Sequence, residues 1–188
     1  MENLDTSKWT SKNLDVDHFR NGDVIPEAKT AEDWQFAQDY GKPAWCYFDN
    51  DPENGKKYGK LYNRFAVNDP RGLAPDGYHI PTNDEWTDLE NLLGEEAGKK
   101  LKSKNGWEDN LSGIDLIGFN ALPAGYRIDG FHFDGIGKYT HFWCAENDNN
   151  ESSTRILGYD FGDVRKGNIV YNHNEPVGFY VRCVLDKD

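Results

Sequence analysis

The sequence is short of positive charge. Its 21 Lys and Arg face 33 Asp and Glu, which gives a formal net charge of −12. Nucleic acids and anionic membrane surfaces are bound by clustered cations, so this balance argues against both as partners. One basic run, residues 99–104, comes shortly after the acidic pair at 95–96 and is typical of a solvated helix face.

Long apolar runs are lacking as well. No stretch approaches the length of a membrane-spanning helix, so we predict no membrane insertion. The first nine residues do not combine a basic end with an apolar segment, and no secretory signal is visible in them. The residues alone therefore leave the localisation open.

Cysteine is scarce, with three in the chain, Cys46, Cys144 and Cys183. An odd number leaves at least one thiol unpaired in a monomer, and the absence of a Cys-x-x-Cys spacing excludes the usual zinc site. Each cysteine lies in an apolar, strand-like setting, which indicates buried free thiols. A Cys46–Cys183 bridge stays open for an oxidising compartment.

Aromatic residues, in contrast, are abundant. They make up 14% of the 188 residues, with six Trp and ten Tyr, and glycine is frequent. Tyr and Trp combine a large buried area with a polar group, which suits irregular segments that must be braced. The length suits one domain with a substantial core. We therefore expect a single loop-rich α+β domain.

Two segments carry the start signal of a helix. In a capping box a hydroxyl and an acid three residues later satisfy each other's backbone N–H, and the matching pairs are Thr30 with Asp33 and Thr82 with Glu85. An apolar stripe at helical spacing follows the second pair and ends at Gly94. These patterns predict two main helices.

The remaining segments are predicted from periodicity and turn residues. The apolar residues between 61 and 66 recur at helical spacing and predict a short amphipathic helix. Residues 44–48 read as an apolar strand and 49–55 as a polar loop. After Trp107 the pattern changes to short strands, which we expect at residues 139–143, 158–164, 168–171 and 179–184.

Four motifs identify a family. They are Tyr-Gly-Lys-Leu-Tyr-Asn at 58–63, Gly-Tyr-His-Ile-Pro-Thr at 77–82 with Glu-Trp at 85–86, Gly-Phe-Asn-Ala-Leu-Pro-Ala-Gly-Tyr-Arg at 118–127 and Gly-Phe-Tyr-Val-Arg-Cys-Val at 178–184. Together they resemble the Fibrobacter succinogenes major paralogous domain, a bacterial family. The resemblance implies an α+β, C-type-lectin-like fold related to sulfatase-modifying factors. It also implies one domain over residues 1–188 with its core at about 9–185, and an exported or cell-surface location.

The resemblance does not carry an enzyme activity with it. Formylglycine-generating enzymes share this fold class and bind copper through two closely spaced cysteines near the C-terminus, whereas here Cys183 stands alone. A pairing of His141 with Cys144 is disfavoured because residues three apart on a strand point to opposite faces. We expect no catalytic residue and no cofactor, and keep a cysteine- or metal-dependent enzyme as the weakest alternative.

Metal binding is likewise not expected. Calcium-dependent lectins use a Glu-Pro-Asn type segment, and this chain has Val177 where the oxygen ligand would stand. Asp49, Asp51 and Glu53 resemble part of a calcium loop, but Lys60 replaces the acid that should close it. An Asx-rich turn is the preferred interpretation of that segment.

The leading prediction is non-catalytic recognition of a protein or glycan ligand through loops in the C-terminal half. Polar and aromatic runs at 146–151 and 171–174 read either as solvated loops or as a display surface. Relatives of the family include proteins whose variable face is diversified by retroelements. The alternative is a structural subunit of a cell-surface or phage-like assembly, and the oligomeric state stays open. The candidate ligand-binding residues are Tyr126, Arg127 (as a forked donor), His132, Tyr139, Asn149, Tyr159, Tyr171 and His173.

Overall fold

The structure, a computed structural model, describes residues 8–145, 153–168 and 176–186. Its helices are α1 Ala31–Asp39, α2 Pro52–Tyr58, α3 Arg64–Val67, α4 Asn83–Leu93 and α5 Ala97–Leu101. Its strands are β1 Trp45–Cys46, β2 Leu61–Tyr62, β3 Tyr78–His79, β4 Ala124–Ile128, β5 His132–Ile136, β6 Tyr139–Trp143, β7 Ser153–Gly158, β8 Arg165–Asn168 and β9 Val184–Leu185.

Both predicted capping boxes are present. The Thr30 hydroxyl accepts from the Asp33 amide at 3.1 Å, and the Asp33 carboxylate accepts from the Thr30 amide at 3.1 Å. Thr82 and Glu85 make the same reciprocal pair at 3.2 and 3.0 Å. Each box satisfies N–H groups that have no partner in the first turn of a helix. The two main helices, α1 and α4, are therefore confirmed.

The prediction of a polar loop over residues 49–55 is wrong in its second half. Asp51 accepts a hydrogen bond from the Glu53 amide at 2.9 Å and caps α2, which begins at Pro52. A proline suits the first helical position because its missing N–H would be unsatisfied there in any case. The Asp51 carboxylate thus caps a helix, in agreement with an Asx turn.

The predicted helix over residues 61–66 begins later than expected. Asn63 caps α3 by accepting from the Ala66 amide at 2.9 Å, so Leu61 and Tyr62 lie before the cap and form β2 instead. The strand predicted at 44–48 is limited to β1, and the one predicted at 158–164 is wrong, since Gly158 ends β7.

Three small sheets organise the described part of the chain. The largest has the strand order β5-β4-β6-β7-β8, with β4 antiparallel to β5 and parallel to β6, and the other pairs antiparallel. Strand β1 pairs with β2, and β3 pairs with β9. A bridge from Trp9 to Val184 joins the two ends of the described chain.

The family motifs mostly supply the core. Trp86 is fully buried, with its ring centroid 5.8 Å from that of Phe119 and 5.7 Å from that of Phe142. Tyr62 is fully buried in a second cluster with Trp143. The motifs at 58–63 and 77–86 are therefore scaffold.

Cations are buried in this acidic protein, while acids stay outside. Among the described residues no Asp or Glu is buried, whereas Lys60, Lys102, Arg127, Arg155 and Arg182 are. The Arg182 guanidinium donates to three oxygens at 2.7 Å each, two of them backbone carbonyls. Its burial lowers the pKa of Arg182 to about 9. The buried cations hold irregular segments together by satisfying their carbonyl groups.

The three thiols are free and buried, as predicted. No Cys46–Cys183 bridge forms: Cys46 belongs to the cluster around Trp86, and Cys183 to the cluster around Trp143. Burial raises the pKa of Cys46 to about 11 and that of Cys183 to about 12. Both thiols are therefore protonated at neutral pH and weak as nucleophiles.

His79 joins β9 to the start of α4. Its Nδ1 lies 2.8 Å from the Asp186 carboxylate and its Nε2 lies 2.9 Å from the Glu85 carboxylate. Burial disfavours the charged ring, but the hydrogen bonds and charges of the two acids outweigh it and raise the pKa of His79 above its ordinary value. Only the imidazolium can donate to both carboxylates at once.

His79→Gln should therefore flatten the pH dependence of stability on the alkaline side. With a raised folded-state pKa, the contribution of His79 is complete below its unfolded pKa of about 6.5 and is lost as pH rises through the folded value. Urea unfolding at several pH values from about 5.5 to 8.5 would measure the slope of the free energy of unfolding. An unchanged slope in the variant would show that the ring does not act as the charged link.

Candidate functional site

One face of the five-stranded sheet is buried and the other is partly open. On β6, Thr140 and Phe142 are fully buried on the inner face, whereas Tyr139 and His141, which alternate with them, are half-buried on the outer face. Trp143 is also on the outer face, but Phe179 covers it at a ring-centroid distance of 4.8 Å and also stacks on His141 at 4.9 Å. The outer face is thus closed at its Trp143 end and open at its Tyr139 end.

A row of side chains crosses all the strands on this open face. The register pairs Tyr126 with Asp134, His141 with Ile156, and Ile156 with Arg165, and the ring centroids of Tyr126 and His141 are 4.2 Å apart. We call these five residues the cross-strand row. Four steps of about 4.8 Å make it about 19 Å long. It has an acid at one end, an arginine at the other, and aromatic and aliphatic groups between them.

A second feature, the Phe161 stack, lies beside the row. The Phe161 ring lies 6.3 Å from the Tyr139 ring at 27°, and the Arg165 guanidinium carbon is 3.8 Å from the Phe161 centroid. Gly158 makes this possible, because a Cβ there would come within 2.2 Å of the Phe161 ring. Phe161 therefore fills the space over β7 between a tyrosine of β6 and an arginine of β8.

Two ionisable groups near the row, His141 and Cys144, are poorly suited to act as a base or a nucleophile at neutral pH. Desolvation lowers the pKa of His141 to about 4, so its ring is neutral. Cys144 is on the opposite side of β6, where the Arg155 guanidinium contacts its Sγ at 3.6 Å, and burial raises the pKa of its thiol. Within the described ranges no group of three or more His, Cys, Asp and Glu is arranged to hold a metal ion.

The predicted ligand-binding residues divide into three groups. Tyr126 and Tyr139 lie on the open face, and Tyr159 is half-buried with its ring centroid 5.8 Å from that of Tyr139. His132 is exposed at the edge strand β5, with Nδ1 3.1 Å from an Asp129 carboxylate oxygen. Asn149, Tyr171 and His173 lie outside the described residues.

Arg127 does not lie on the open face, contrary to its predicted place on the ligand-binding face. Its side chain is 1% exposed, it donates to the Gly130 carbonyl, and its guanidinium carbon lies 4.6 Å from the Trp34 ring centroid. Alternation along β4 places Tyr126 outward and Arg127 inward. Arg127 therefore fastens α1 to the β4–β5 hairpin.

The sequence-based prediction missed much of the site, namely His141, Ile156, Phe161 and Arg165. His141 was recognised as part of an alternating strand, but residues 158–164 read as a strand too, which hid the turn that returns Phe161 over Gly158. Gly158, three residues before Phe161, was the signal in the sequence that could have indicated this turn. The register that aligns Ile156 with both His141 and Arg165 has no local signal.

A second concave surface lies elsewhere. It is an open depression of about 530 Å³ lined by residues 9–15 together with Pro75, Tyr78 and Cys183. The lining thiol is almost fully buried, and its pKa is raised to about 12. Cys183 is therefore not an activated nucleophile in this depression.

The fold and its open face define a mixed α+β protein with small sheets and a partly exposed aromatic surface. The chain matches the family described as the Fibrobacter succinogenes major domain over residues 3–185, and it belongs to that family. No curated protein and no solved structure matches it significantly. None of the described helices combines the length and apolar composition needed to cross a bilayer.

Proposed function

We propose that this protein recognises a protein or glycan ligand, without changing it chemically, through the open face of its five-stranded sheet. The observation that carries the proposal is the cross-strand row, in which Tyr126, His141 and Ile156 are half-buried side by side. Rings that are already packed lose little conformational freedom when a ligand covers them, and tyrosine adds a polar group for hydrogen bonding.

The electrostatics of the face support recognition over catalysis. A histidine with a pKa of about 4 is a weak base at neutral pH, and the Cys144 thiol, with its raised pKa, faces away from the row. The row lies along the face of a sheet, whereas small-molecule enzymes enclose most of their substrate in a deep pocket. Aromatic and aliphatic groups between charged ends suit a large ligand that lies across the row.

The proposal includes a finer assignment of fold and location. We propose a single domain with a C-type-lectin-like fold, exported or at the cell surface, because the family resemblance implies both. The meeting of the described chain ends at Trp9 and Val184 supports a closed single unit. Asn149, Tyr171 and His173 stay predicted contributors to the same ligand surface.

A structural subunit of a larger assembly is the second candidate. It is favoured by Phe36 and Tyr40 on α1, which are 58% and 65% exposed with their ring centroids 4.6 Å apart. Arg127 and Trp34 place α1 behind the hairpin, on the side away from Tyr126. The two candidates therefore use different surfaces.

Substitutions on the two surfaces should separate these candidates. For a ligand found by screening the whole protein against extracellular proteins and glycans, Tyr139→Ala and Ile156→Ala should each weaken binding by about tenfold. Phe36→Ala is the matched control for loss of an aromatic group. It should change the affinity less than twofold, which is less than about 0.4 kcal/mol. Affinity would be measured by calorimetry, after thermal unfolding shows each variant folded. The reverse pattern would favour the assembly surface on α1.

A further inference from the structure

We propose that the ligand of the open face is a protein segment that places a carboxylate against Arg165. This inference rests on the proposed function and names the class of partner. The starting observation is a charge that the described residues leave unmatched. Within these residues the Arg165 side chain packs on the Phe161 ring and has no hydrogen bond or ion pair.

Two other arginines of the protein are matched to carboxylates. Arg71 pairs with Asp69 and Asp23 at 2.8 and 3.0 Å, and Arg155 pairs with Glu90 at 2.7 Å. Arg165 differs because it is exposed, yet its guanidinium is held 3.8 Å from an aromatic centroid. An exposed arginine with free rotation would be an ordinary solvated residue, whereas this one is oriented.

The stack prepares Arg165 for a carboxylate. A guanidinium that lies flat on a ring keeps its N–H edges in its own plane, where they can donate two parallel hydrogen bonds to one carboxylate. Gly158 fixes the position of Phe161, and Phe161 fixes that of Arg165. The conformational entropy of the guanidinium is therefore already reduced in the free protein, so less is lost when a ligand binds.

The rest of the face favours a protein over a glycan. The row continues from Arg165 through Ile156 and Tyr126, and Ile128 on the same face of β4 is 36% exposed. Arginine, aromatic and aliphatic groups together are typical of the centre of protein interfaces, from which lysine and acids are depleted. A polyanionic glycan would in addition be repelled by the net charge of −12.

The two ends of the row give the segment a direction. Arg165 at the β8 end attracts an acid, and Asp134 at the β5 end attracts a cation. The row is about 19 Å long, which about six extended residues span. The expected ligand segment therefore has an acidic residue, then apolar residues, and then a basic residue about six positions away.

A displayed library of random 12-residue peptides, selected on the whole immobilised protein, tests the inference. Enriched peptides should carry Asp or Glu beside apolar residues. For a labelled peptide from this set, Arg165→Gln should weaken binding at least tenfold in fluorescence anisotropy at about 0.15 M salt. Lys166→Gln is the matched control: Lys166 is exposed and adjacent, but its register with Arg155 directs it to the other face, so binding should stay within twofold.

The peptide supplies the other half of a double-mutant cycle. Replacing its acid by the amide should weaken binding to the natural protein as much as Arg165→Gln does, and should have no further effect on the variant. The inference would be overturned if the acid and amide peptides bound the natural protein with equal affinity. It would also be overturned if the acid peptide bound Arg165→Gln as tightly as the natural protein. The inference would also be overturned if the library gave no binders and the protein instead bound a glycan whose affinity falls in Tyr139→Ala. That result would leave the proposed function standing. Peptides that bind Tyr139→Ala and Ile156→Ala with unchanged affinity would contradict both the inference and the proposed function.

Discussion

Arg155→Ala should lower the free energy of unfolding by about 2–4 kcal/mol, because it removes an ion pair and a network of hydrogen bonds made by a buried arginine. The Arg155 side chain is fully buried on β7, and its Nε donates to the Glu90 carboxylate at 2.7 Å. Its terminal nitrogens donate to the Asn83 side-chain and backbone oxygens at 2.8 and 3.0 Å. Alanine would remove the link between α4 and the sheet and leave the Glu90 carboxylate without its ion pair, while the two Asn83 oxygens would keep only their bonds from Ser153 and Thr87.

Two variants control this prediction, which urea unfolding measures. Arg155→Lys keeps the charge but not the forked geometry, so its stability should be intermediate. Lys166→Ala removes an exposed cation opposite Arg155 in the strand register and should change stability by less than about 0.5 kcal/mol. A loss below about 1 kcal/mol for Arg155→Ala would mean that water or a neighbour replaces the link.

Gly125→Ala should destabilise the protein by about 2–5 kcal/mol, the sum of backbone strain and overpacking. Gly125 has a φ of +72°, and a Cβ there would lie 2.4 Å from the Phe48 ring, 2.6 Å from the Asp134 carbonyl oxygen and 3.0 Å from the Ile136 nitrogen. Two of these neighbours are backbone atoms of β5, so β4 and β5 would have to separate. The hairpin that carries Tyr126 would then be displaced.

Gly118→Ala isolates the two causes. Gly118 has a nearly identical φ of +74°, but nothing lies within 4 Å of the Cβ it would gain. It should therefore show backbone strain alone, about 1–2 kcal/mol. Thermal or urea unfolding of both variants gives the difference. Equal losses at the two glycines would contradict the close packing of β4, β5 and Phe48.

Local signals predicted the elements that depend on local hydrogen bonds. The capping boxes at Thr30 and Thr82 predicted the starts of α1 and α4, because each box is complete within four residues. The start of α2 was equally local, in Asp51 and Pro52, but the surrounding polar residues made a loop the expected structure. The error at α2 arose because the polar composition of the segment was given more weight than its helix-start signal.

The candidate site could not be predicted to the same degree, for a physical reason. Whether Tyr126 or Arg127 lies on the open face depends on which side of β4 the core occupies, and alternation alone does not choose a side. The row through His141 and Ile156 depends on strand register set by contacts distant in sequence. The family motifs helped little here, because residues such as Trp86 are part of the buried scaffold.

Oxidative footprinting of the ligand complex tests the central claim most directly, since it reads side-chain accessibility without any substitution. Hydroxyl-radical labelling of the whole protein, with and without its ligand, would be followed by mass spectrometry. Bound ligand should reduce oxidation at Tyr139 and Phe161 and leave Phe36 and Tyr40 unchanged. Protection of Phe36 and Tyr40, with Tyr139 and Phe161 still oxidised, would contradict recognition through the open face of the sheet.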